Sequence, residues 1–94
     1  MEREHLKDQF LTSLMRMVEC HERLGNFSEA ISTLYHALKI DIYREDAYQK
    51  LMMLCNKAGR KGEMIRAYNM CKKAIEEDLQ LELSSDTRDL FKRI

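Results

Sequence analysis

The chain has no proline, no tryptophan and only three glycines, and neither charge predominates: 16 Lys+Arg stand against 16 Asp+Glu in 94 residues. Without Pro and with so little Gly there are few places for tight turns, which excludes strand-rich folds and favours long helices. The balanced charge argues against a nucleic-acid binder acting through bulk electrostatics, because such domains carry a clear basic excess. Three cysteines at separations of 35 and 16 make no disulfide framework, so a reduced, cytoplasmic protein is expected. The longest uninterrupted apolar run, Leu51 to Cys55, is far shorter than the roughly 20 residues a membrane helix needs. No signal peptide is read at the start, where Glu2, Arg3, Glu4 and His5 stand in place of an apolar segment.

What is present fits one small globular domain: 45% hydrophobic residues bury a core, and 34% charged residues solvate the outside. Apolar periodicity maps four helices. Leu6, Phe10, Leu14, Met17, Val18 and Leu24 form one stripe, predicting a first helix over 3–24. A second spans 27–40, with Asn26 and Glu29 as its capping pair and Phe27, Ala30, Ile31, Leu34, Ala37 and Leu38 facing inward. A third, over 44–58, is predicted to bury Ala47, Tyr48, Leu51, Met52, Leu54 and Cys55. The fourth, over 62–78, is predicted to bury Ile65, Tyr68, Cys71, Ala74 and Ile75. Arg60 stands where Asn26 caps the earlier helix, so a frayed start and a mobile turn over 59–62 are expected.

The chain also repeats itself. Leu24-Gly25-Asn26-Phe27-Ser28-Glu29-Ala30-Ile31 aligns with Ala58-Gly59-Arg60-Lys61-Gly62-Glu63-Met64-Ile65 at an offset of 34 residues. Leu34 and Ala37 then match Tyr68 and Cys71. Upstream, Leu14, Met17, Val18 and His21 match Tyr48, Leu51, Met52 and Cys55. Each unit reads as helix, Gly, helix, and 34 residues is the tetratricopeptide period. A Gly just past a helix end supplies a left-handed residue without a Cβ penalty. After residue 78 the pattern changes: Leu79, Leu81 and Leu83 alternate with Gln80 and Glu82, predicting an extended stretch that lays its leucines on the last hairpin. Ser84 caps a final helix over 85–93, with Asp86 in its first turn and Lys92 and Arg93 in its last, matching the helix dipole. The tail is expected to cap the stack with a polar outer face.

These residues carry a family resemblance: Arg3, Leu6 and Phe10; Leu24-Gly25 with Glu29-Ala30-Ile31; Ala37-Leu38 and Asp41; Glu45 and Ala47; Leu51-Met52; Ala58-Gly59; and the closing run Leu79 through Ser84 with Thr87, Arg88, Leu90 and Ile94. Together, over about 3–94, they resemble the bacterial transcriptional activator domain of winged-helix regulators. Pro at 42 and 83 and Gly at 80 are usual in that family, where Ile42, Leu83 and Gln80 stand here. The resemblance implies a regulatory and oligomerising role in a transcription factor whose winged helix binds DNA. It also implies that this chain is a fragment, with DNA bound only through a segment outside it.

Other chemistry is poorly supported. Cys20, Cys55 and Cys71 are expected on apolar faces, and none has C-x2-C or H-x3-H zinc spacing. Adjacent Cys20 and His21 point to different helix faces. His5 and His36 read as surface residues, and no Gly-rich phosphate loop is present. No catalytic, cofactor or metal residue is assigned. Charge is uneven, however: 44–73 holds eight basic and three acidic residues, and 76–89 six acidic and one basic. Lys57, Arg60, Lys61 and Arg66 are candidates for a basic pole that pairs with the acidic one between protomers or faces a partner. A concave face is predicted from Thr12, Met15, Glu19, Glu22 and Arg23 and from Asp46, Gln49, Met53, Asn56 and Lys57. In chaperone-binding repeats Lys and Asn there hold a C-terminal carboxylate; Met15 and Glu19 occupy those positions here.

The sequence therefore predicts an all-α, tetratricopeptide-like, right-handed stack of two antiparallel hairpins with a C-terminal capping helix. Repeat one spans about 11–44, repeat two 45–78 and the cap 79–94. The expected function is non-enzymatic protein–protein interaction within a bacterial transcriptional regulator, with self or other domains of the parent as partner, a homodimer included, and no membrane. The alternative is a free-standing adaptor for a peptide or protein. Two repeats are fewer than such stacks need, so an apolar face awaiting a further helix or protomer is expected.

Overall fold

The computed structural model describes residues 2–94. Met1 and the side chains of Glu2 and Arg3 lie outside the described residues. Every regular element described is helical: α1 (Glu2–Arg23), α2 (Phe27–Ile40), α3 (Glu45–Lys57), α4 (Lys61–Lys72), a π-helical segment Lys73–Asp78 continuing α4, and α5 (Ser85–Arg93). α1 packs on α2, α2 on α3 and α3 on α4, while α5 returns to lie against α3. The molecule is 18 Å through its thinnest direction, about two helix diameters, so two layers make the whole core.

The two hairpin turns match bond for bond at the 34-residue offset. Asn26 N–H donates to His21 O and Arg60 N–H to Cys55 O, both at 2.8 Å. Gly25 N–H donates to Glu22 O at 3.0 Å and Gly59 N–H to Asn56 O at 3.2 Å. This pair of bonds is the Schellman ending, and it requires a left-handed residue at the glycine; φ is +77° at Gly25 and +74° at Gly59. A third helix end uses the same device without glycine. Gln80 has φ +55°, and Leu81 N–H closes the π segment by donating to Ile75 O at 3.0 Å. Gln80 thus holds a left-handed conformation that glycine adopts without a Cβ penalty.

The expected difference between the starts of α2 and α4 is absent. Neither Asn26 (φ −86°, ψ 69°) nor Arg60 (φ −100°, ψ 64°) makes a side-chain capping bond. The Asn26–Glu29 capping pair does not form, and the backbone alone sets both starts. Arg60 is instead held in place, donating to Ser28 Oγ at 2.8 Å and pairing with Glu63 at 3.5 Å. Ser84 does cap α5 as predicted, its Oγ accepting from Thr87 N–H at 3.2 Å.

The core forms around α3, whose Ala47, Tyr48, Leu51, Met52, Leu54 and Cys55 are all buried as periodicity predicted. Ala30, Ile31, Leu34, Ala37 and Leu38 of α2 are buried too, with Phe27 partly covered. Full burial of a side chain the size of Leu or Met stabilises by about 1.5–3 kcal/mol. Three expectations fail. In α1 the buried residues are Leu11, Leu14 and Val18, whereas Leu6, Phe10, Met17 and Leu24 are exposed. The predicted stripe had merged two faces, one against α2 and one beside it. In α4, Met64 and Ala67 are buried and Ile65 is exposed, although its repeat-one equivalent Ile31 is buried. Ile31 has α3 packed beside α2, while no helix among the described residues covers Ile65 of α4 in the same way. Of the three tail leucines Leu83 alone is buried, because left-handed Gln80 breaks the alternation and leaves Leu79 and Leu81 outside.

A Cβ built on Gly59 meets nothing within 4 Å, so Gly59→Ala tests φ alone and should destabilise by roughly 1–2 kcal/mol. Gln80→Gly should move urea unfolding the opposite way by about 0.5–1 kcal/mol, since relief of left-handed strain outweighs the added chain entropy.

Candidate functional site

Internal bonds occupy much of the face expected to be concave. Glu22 of α1 lies between two lysines of α3, with Lys50 Nζ at 2.9 Å and Lys57 Nζ at 3.1 Å. The hydrogen bond from Lys50 leads the causes that hold the Glu22 carboxyl below its ordinary range, against partial burial. Lys57 is thus engaged in joining the hairpins. Met15 is half-buried against the core, while Glu19, Arg23, Asn56 and Thr12 are exposed. The exposed Asp46 pairs with Arg44 at 2.9 Å.

α5 occupies the other half of the face. Gln49 Nε2 donates to Thr87 Oγ1 at 2.9 Å. Gln49 and Met53 line a cleft of about 630 Å³ whose other wall is Asp86, Asp89, Leu90, Lys92 and Arg93. That wall mixes both signs and carries no constellation for nucleophilic or acid–base work. Beneath it, Glu45 at the start of α3 fastens the tail. Its Oε2 accepts from Ser84 N–H at 3.1 Å, from Ser84 Oγ at 2.6 Å and from the Thr87 hydroxyl. Thr87 is fully buried, so each of these partners answers a polar group that would otherwise be desolvated alone. Burial opposes ionisation of Glu45, but the bonds from Ser84 and Thr87 outweigh it and keep the carboxyl below its ordinary range. Sequence reasoning missed this node because its partners lie 39 and 42 residues apart. The aromatic stack of Tyr68 on Phe91, with centroids 3.9 Å apart, fixes the same helix from α4.

The cysteines divide. Cys20 is exposed, contrary to expectation, while Cys55 and Cys71 are buried. Burial pushes the Cys55 thiol up to about 11 and the Cys71 thiol up to about 12, so neither is a thiolate at neutral pH.

Two surfaces remain open. Leu6, Phe10, Met17, exposed Cys20 and Leu24 follow a 4-7-3-4 spacing along one side of α1, a heptad seam without a partner helix, with Arg16 and Arg23 on its flank. On the opposite layer a groove of about 550 Å³ runs between α2 and α4, lined by Tyr35, Leu38, Lys39, Ile42 and Met70. It continues along Arg66, Asn69 and Lys73. The predicted basic pole therefore splits: Lys57 and Arg60 are paired within the chain, Lys61 is exposed, and Arg66 lines the groove with Lys39 and Lys73. No helix among the described residues is long and apolar enough to cross a membrane.

Comparison with known families matches the whole chain, residues 1–94, to the sequence model of the bacterial transcriptional activator domain. Neither curated proteins nor solved structures gave a match.

Glu45 and Glu22 both bind their protons more weakly folded than unfolded, so the stability they add is complete above the unfolded carboxylate pKa of about 4.3 and is lost as pH falls through the folded values. Urea unfolding at stepped pH should show stability declining through this acid window, with a shallower decline in Glu45→Gln. Glu45→Ala should cost roughly 1–3 kcal/mol at neutral pH, because it strips the tail of its acceptor.

Proposed function

Because the chain belongs to the bacterial transcriptional activator domain family, we propose that it is a protein-interaction module of a bacterial transcriptional regulator whose DNA-binding winged helix lies outside these residues. On this reading the chain is a tetratricopeptide-like stack, with repeats at about 11–44 and 45–78 and a cap at 79–94, and it performs no catalysis. The observation that carries the proposal is the open seam of α1. Leu6 is 64% exposed and Phe10 53%, on a helix whose other side is packed into the core. An apolar helical stripe of this spacing is the complement of another helix, and contiguous exposed apolar surface marks an interaction site. Arg16 and Arg23 beside the seam favour an acidic flank on the helix that covers it, and we assign that helix to another domain of the same regulator. The adaptor reading loses support in the concave face, where Glu22 neutralises the lysines that a peptide carboxylate would need.

Blotting the native protein from its source cells with an antibody raised to this chain should reveal a band well above 11.2 kDa. A band at that mass would leave no room for the winged helix and would overturn the proposal. The isolated chain should bind duplex DNA no better than a neutral protein at physiological salt, and a sequence-specific mobility shift would contradict it. Leu6→Ser and Phe10→Ser should each change unfolding stability by less than about 0.5 kcal/mol while reducing the binding of an apolar dye, as expected of surface residues on an open seam.

A further inference from the structure

We propose that the groove between α2 and α4 receives the Leu79–Leu81 segment of a second copy of this chain, each copy filling the groove of the other in a two-fold dimer. The proposal rests on the reading of the domain as a protein-interaction module and names one of its surfaces. The groove is apolar at its floor, with Tyr35 and Leu38, and open at Ile42 and Met70, which are 47% and 41% exposed. Lys39, Arg66 and Lys73 rim it, and no carboxylate lines it. None of these three cations forms an ion pair among the described residues, whereas Arg44, Lys50, Lys57 and Arg60 all do. Such a groove selects apolar side chains embedded in negative charge.

The chain presents that ligand itself. Glu76, Glu77 and Asp78 precede Leu79, and Glu82 follows Leu81. The two leucines are 40% and 60% exposed, and the four carboxylates form no ion pair among the described residues. The segment is shaped in advance by left-handed Gln80 and by the bond from Leu81 N–H to Ile75 O, so little ordering entropy opposes its docking. Lys73 borders both the groove and the surface formed by Glu76 and Glu77, which puts ligand and receptor side by side at one end of α4. A two-fold axis at that end seats both leucine segments at once and closes the assembly, where a head-to-tail contact would run on into a filament. The α1 seam is a poorer surface for self-association, since pairing it with its copy sets Arg16 and Arg23 against like charge.

Sedimentation of the full chain over a wide concentration range should show a monomer–dimer equilibrium that weakens as salt is raised. Leu81→Ser should weaken it by at least about tenfold, the loss expected for one desolvated leucine. The decisive pair reverses charge: Lys39→Glu with Arg66→Glu in the groove, and Glu77→Lys with Glu82→Lys in the tail. Each double variant should be monomeric alone, and the two should form a heterodimer when mixed, because every groove then meets a tail of opposite sign. Circular dichroism should be unchanged throughout. A wild-type chain that stays monomeric overturns the proposal, as does a dimer that ignores these changes and dissociates with Phe10→Glu on α1. In both cases the interaction-module reading survives, because it fails on native mass and DNA binding instead.

Discussion

Each hairpin of this chain has an apolar flank that its own two helices leave uncovered, and the rest of the structure follows from how those flanks are closed. Between the hairpins the solution is mutual: α2 and α3 pack together, burying Ile31, Tyr48 and Leu51. At the C-terminal end α5 covers α3 and part of α4, fastened by the Glu45 carboxylate and by Tyr68 on Phe91. At the α1 end nothing described covers Leu6, Phe10 and Met17. An apolar helix face left uncovered costs burial, and here α5 closes one end of the helical assembly while α1 carries an open seam at the other.

The fastening of the cap explains the composition of the tail. Ser84 does two jobs, accepting the Thr87 amide as a helix cap and donating to Glu45 as a tether. Thr87 is buried, yet its hydroxyl has partners in Glu45 and Gln49. A polar network of this kind holds only when every member is satisfied, so Glu45, Ser84 and Thr87 act as a unit. Together they join the start of α3 to the start of α5.

Charge follows the same division between internal and external use. The uneven run of basic residues is partly consumed within the fold, where Glu22 binds Lys50 and Lys57 and Glu63 binds Arg60. Lys61, Arg66, Lys72 and Lys73 are left over among the described residues, and of these Arg66 and Lys73 line the groove with Lys39 from α2, which a count along 44–73 could not include. The groove of the second layer thus gathers cations that internal pairing leaves over, around apolar side chains that packing leaves partly exposed.

The sequence by itself determined the helices, the 34-residue repeat and its glycine turns, and the inner face of α3, because these depend on contacts within one turn or one hairpin. Periodicity recovered all six buried residues of α3, an element covered on several sides, where every apolar position but the cleft-lining Met53 goes inside. It misread α1, α4 and the tail, where an apolar residue is buried only if a neighbouring element happens to cover it. Leu6, Ile65 and Leu81 are as hydrophobic as Leu14, Ile31 and Leu83, and only the tertiary arrangement separates the exposed three from the buried three. The Glu45 node and the pairing of Glu22 were settled by the fold alone, since each joins side chains at least 28 residues apart whose identities announce no partner.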